Sequence, residues 1–107
     1  MNRDLLGKMV FVPKRAYGNE RVMYLYDIHE GRMRLIDCEG NGLMCGEGEV
    51  ELREATKKEV AEDFLYSFDG KRRNLDDMGP RGKQVAEELY IVALDRCKQE
   101  ASKYERF

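Results

Sequence analysis

The chain has 107 residues, 42% hydrophobic and 37% charged, which suits one domain with a modest core under a dense charged surface and excludes a disordered segment. Its 19 basic and 21 acidic side chains give a formal net charge of -2, so a general electrostatic grip on nucleic acid is excluded and only a local basic patch remains open. Three cysteines without a Cys-x-x-Cys pair, together with a single histidine, speak against a secreted disulfide framework and against a four-ligand zinc site.

From the N-terminus, Met1 to Gly7 lacks the apolar run of a signal peptide. The longest apolar run, Tyr90 to Leu94, is far too short to span a bilayer. The expected setting is therefore cytoplasmic, with no membrane partner. Lys8 to Pro13 reads as a first strand whose continuous Met-Val-Phe-Val run calls for cover on both faces. Pro13 should end its pairing. Lys14 to Glu20 is a polar connection tipped by Tyr17-Gly18-Asn19. Arg21 to His29 is the longest strand, with Val22, Tyr24, Tyr26 and Ile28 on one face and Met23, Leu25 and Asp27 on the other. Glu30-Gly31 gives a tight hairpin turn into a third strand, Arg32 to Cys38. After the turn Glu39 to Gly42 comes a short fourth strand, Leu43 to Cys45. Gly46-Glu47-Gly48 breaks it before a fifth strand, Glu49 to Arg53, which alternates polar and apolar.

At Thr56 the hydrophobic period changes from two to about 3.6. Thr56 and Glu59 have capping-box spacing for a helix over Lys57 to Phe68, and Gly70 suits a left-handed C-terminal cap. That helix should pack Val60, Phe64 and Phe68 on the sheet. Residues 71–80 form a charged connection, with Pro80 acceptable in the first turn of a second helix over about Arg81 to Tyr104. Val85, Leu89, Val92 and Ala93 supply its apolar stripe, packed against the sheet or against a second copy of the chain.

The reading is α+β: a five-stranded antiparallel barrel or strongly bent sheet, followed by two helices. Over Lys8 to Thr56 the order of an opening strand, a longer polar loop, a long central hairpin and a short strand leading into a last one resembles the SH3-like small barrels. The peptide-binding SH3 family carries a groove tryptophan. This chain has none, so proline-rich peptide binding is not carried over. In size and style the chain also looks like the small orphan proteins of phages and mobile elements, which implies binding to, and inhibition of, a host factor.

Candidate sites follow from chemistry. Lys71, Arg72 and Arg73 lie past the first helix, and Arg81 and Lys83 open the second, where free amides could add to an anion site. The alternative is a solvated loop whose arginines pair with Asp76 and Asp77. Tyr17, expected to be exposed because it falls in a predicted loop, could stack a base or a partner's side chain, while Tyr24 and Tyr26 are better read as packing. His29 beside Asp27 and Glu30 reads as a surface residue at a turn rather than an acid-base pair. Cys38 and Cys45 flank one turn, where they pair under oxidation, share a soft metal or stay as partly buried thiols, and Cys97 belongs to the core. The expected function is a non-enzymatic binding module acting by protein–protein contact, as an inhibitor or adaptor, with no cofactor and no metal. Contacts would run through Tyr17, Lys71, Arg72, Arg73, Arg81 and Lys83, and self-association through the last helix. The alternative function is capture of a nucleotide or single-stranded nucleic acid by the basic inter-helix loop.

Overall fold

The computed structural model describes residues 3–13 and 20–104. A 3-10 turn, Arg3–Leu5, precedes β1 (Met9–Val12), β2 (Arg21–His29), β3 (Arg32–Ile36), β4 (Gly42–Gly46) and β5 (Arg53–Glu54). Then come α1 (Lys57–Asp69), a 3-10 turn (Leu75–Met78) and α2 (Pro80–Ser102). The strands form one antiparallel sheet in the order β4-β3-β2-β1-β5. The expected α+β sheet followed by two helices is present. Closure into a barrel is not: β4 and β5 stand at opposite edges and do not pair.

The continuous apolar run of β1 is explained by cover on both faces. Val10 and Val12 join Met23, Leu25, Met33, Leu35 and Leu52 in a cluster on the inner face of the bent sheet. Met9, with Phe11 beside it, joins Val22, Val60, Phe64, Ala93 and Cys97 in a second cluster under the helices. Residues of β1 thus alternate between two cores, as a period of two requires.

In β2 the alternation is interrupted. Leu25 pairs with Leu35 but Asp27 pairs with Arg34, so Tyr26 is an extra residue with no partner across the ladder. The bulge reverses the faces beyond it. Ile28, expected beside Val22 and Tyr24, packs instead against the inner cluster. The expected fifth strand over Glu49 to Arg53 is also corrected. Glu49 turns back on Gly46, with its amide bonded to the Gly46 carbonyl (3.1 Å) and its carboxylate accepting from the Gly46 amide (2.9 Å). Among the described residues Arg53 and Glu54 pair with β1, and the Ala55 amide extends the ladder by donating to the Met9 carbonyl (3.0 Å). The alternation nevertheless reports burial: Val50 and Leu52 point into the inner cluster. The third strand likewise stops at Ile36, because the buried Asp37 draws the amides of Glu39 (3.0 Å) and Asn41 (2.8 Å) into a turn.

Helix α1 has both halves of its capping box and ends at Gly70 in the left-handed conformation (φ 71°). Val60, Ala61 and Phe64 are buried, but Phe68 is 65% exposed and touches Phe64 edge-on, so it does not pack on the sheet as expected. Helix α2 starts at Pro80 and buries a narrow row of small residues: Gly82, Ala86, Ala93, Cys97 and Ala101. Val85 and Leu89 are half-buried against a third cluster of Ala61, Leu75 and Ala86, while Val92 faces outward. Small residues let α2 lie close to its neighbours, so the larger apolar side chains fall to its flanks. The connection between the helices holds an unforeseen anchor, Leu75, which is buried and whose amide donates to Glu62 (2.7 Å).

Candidate functional site

The basic side chains singled out in the sequence do not converge. Tyr17 lies outside the described residues. Lys71 is exposed, and its backbone amide donates to Asp69 (3.0 Å). Arg73 makes a two-pronged bond to Asp69, which holds that carboxyl below its ordinary range. Arg72 lies 4.0 Å over the ring of Tyr66 and edges a cleft of about 270 Å³ with Arg21, Glu39, Asp63 and Ser67. Arg81 is exposed on the first turn of α2. Lys83 lines a different groove, with Lys57 and Lys58 over Leu75, Pro80 and Ala86. Its neighbours already have acids: Lys57 pairs with Glu87 (3.6 Å) and Lys58 with Glu62 and Asp76 (both 3.4 Å). Asp76 is thus paired with a lysine, not with the arginines.

The cleft under Arg72 is a structural ion network. Arg21 reaches Asp37 (3.2 Å), Asp63 (3.6 Å) and Glu39 (3.7 Å), tying β2 to the β3–β4 turn and to α1. Burial raises the Asp63 carboxyl, and the Arg21 charge works against that rise. His29 is exposed, 3.7 Å from Glu30. Tyr24 packs under the helices, and Tyr26, at the bulge, is half-buried, which raises its phenol. Cys38 and Cys97 sit in the cluster under the helices, with Cys38 3.6 Å from the Ser67 hydroxyl, while Cys45 packs against the inner cluster on the other face. All three thiols are free, and among the described residues no group of three metal-binding side chains gathers.

A broad groove lies where a barrel would have closed. It has a volume of about 790 Å³ and is lined by Leu43, Met44 and Cys45 of β4, by Gly48, Glu49, Val50 and Glu51 of the next segment, and by Pro13. Backbone chemistry defines its β4 side. The amide of Asp37 donates to Asn41 (3.0 Å) and that of Glu47 to Gly31 (2.8 Å), which fixes the phase of the β3–β4 ladder. Hydrogen-bonded pairs alternate, so Leu43 and Cys45 spend their backbone groups on β3. Those of Gly42, Met44 and Gly46 point outward. Glu49 covers the Gly46 amide, which leaves Gly42 and Met44 as the open part of the edge. Met44 is 51% exposed. The floor is apolar (Leu43, Cys45, Val50, Pro13) and the rim acidic (Glu49, Glu51).

Sequence reasoning missed this surface because it expected closure. One signal was present: Gly42-Leu43-Met44-Cys45-Gly46 contains no charge and no proline, the residues that usually guard an exposed edge. Comparison with protein-family models, with curated proteins and with solved structures returned no match.

Proposed function

We propose that this protein is a non-enzymatic binding module that acts by protein–protein contact, in the manner of an inhibitor or adaptor. One observation carries the reading: among the described residues the sheet stops short of closure and leaves an uncovered strand edge beside a groove with apolar lining residues. Such an edge offers main-chain hydrogen bonds that another polypeptide can complete. The strand layout supports reading the sheet as an opened relative of the SH3-like barrels. A second copy through α2 is a further protein contact of this kind, supported by Ile91 and Val92, exposed at 66% and 46%. The dispersal of the basic side chains favours a protein partner over a phosphorylated ligand.

Site-specific photo-crosslinking tests the reading. A photoreactive residue at position 44 or 91 is expected to give a discrete protein adduct in extract of the source cells, with exposed Asp77 as the control position. No adduct at either position, from a chain that sediments as a monomer, overturns it.

A further inference from the structure

We infer that the β4 edge accepts an extended segment of a partner protein in which basic and apolar residues alternate, added as a sixth strand. This rests on the protein-binding reading above and names the partner's chemistry.

The geometry supplies each part of the recognition. The outward N–H and C=O groups of Gly42 and Met44 give a docking strand its register. In the added strand, alternate side chains point to opposite faces. Those on the inner side face the half-buried Leu43, Cys45, Val50 and Pro13 and the exposed Glu49 and Glu51. A lysine or arginine fits those surfaces, with its stem over the apolar floor and its charged head at the acidic rim. Side chains on the other side fall beside Met44, an exposed apolar side chain. The floor also includes the Cys45 thiol, whose burial and nearby Glu49 keep it protonated and apolar in character. Charge decides against a second copy as the occupant. Its own β4 is Gly-Leu-Met-Cys-Gly and brings no cation to answer Glu49 and Glu51.

The test uses two short peptides, one of alternating lysine and valine and one of alternating glutamate and valine, titrated into the isotopically labelled full chain and followed by amide NMR. The lysine peptide is expected to shift the amides of Gly42 and Met44 and to protect them from hydrogen exchange. The glutamate peptide is expected to bind at least about tenfold more weakly. Glu51→Lys, an exposed change that spares the Glu49 bond to Gly46 and neutralises the rim, is expected to abolish the preference. Three results would overturn the inference: equal binding of the two peptides, shifts that leave Gly42 and Met44 unmoved, or β4-to-β4 contacts between copies. A crosslinked adduct at position 44 or 91 alongside peptide failure would remove this inference alone and leave the broader reading standing.

Discussion

Arg53 and Glu59 form a two-pronged ion pair at the surface. Both guanidinium nitrogens reach the carboxylate (2.8 and 2.6 Å), which also accepts the Thr56 amide (2.9 Å). The arginine bond is the main reason that the Glu59 carboxyl falls from 4.5 to about 2. A carboxyl depressed in the folded state stabilises above its unfolded value, and that contribution is lost as pH falls through the folded value. Stability should therefore decline between about pH 4.5 and 2. Arg53 is half exposed, so screening limits the pair to about 1 kcal/mol. Glu59→Gln is expected to lose about that much at neutral pH and to flatten the acid limb, read by urea melts across pH. Asp37 is the buried counterpart, 1% exposed, bonded to two backbone amides, the Asn41 side chain (3.3 Å) and Arg21. Asp37→Ala strands those amides and is expected to cost about 3 kcal/mol in the same melts.

Close approach governs the helical elements. A Cβ on Gly82 would sit 2.0 Å from the Leu75 carbonyl oxygen, a backbone atom that cannot step aside. Alanine normally gains about 1 kcal/mol over glycine inside a helix. Here Gly82→Ala is expected instead to destabilise by about 3 kcal/mol, with Lys83→Ala near neutral, measured by thermal melts. The sequence made much of the fold legible at this scale. The capping box at Thr56 and Glu59, Gly70 as the C-cap and Pro80 in the first turn all stand where local chemistry puts them. Features set by partners distant in sequence were not legible. The bulge at Tyr26 depends on how β3 pairs, and no residue type in β2 marks it. The outward turn of Phe68 follows from the end of the buried face of α1 at Phe64, which helical period alone does not reveal. Only the path of Leu75, distant in sequence, shows what the missing side chain of Gly82 is for.

For the molecule as a whole, the expectation of five strands and two helices is met, while the candidate surface came from what the strands leave undone. Closure needs β4 to meet β5, and the turn of Glu49 onto Gly46 keeps the intervening segment out of the ladder. That bond joins residues three apart, yet its effect is on edges that lie at opposite sides of the sheet. The basic residues were legible as a cluster along the chain but not in space, because Asp69, Tyr66 and the Leu75 turn send neighbours in different directions.

β1 serves as a party wall. Four residues furnish the sheltering surface for both compartments, Val10 and Val12 for one and Met9 and Phe11 for the other. Neither compartment can empty without unroofing its neighbour, so the two are expected to melt together. Calorimetry should record one heat-absorption peak whose van't Hoff and calorimetric enthalpies agree. Two separable peaks would mean that the wall is not shared.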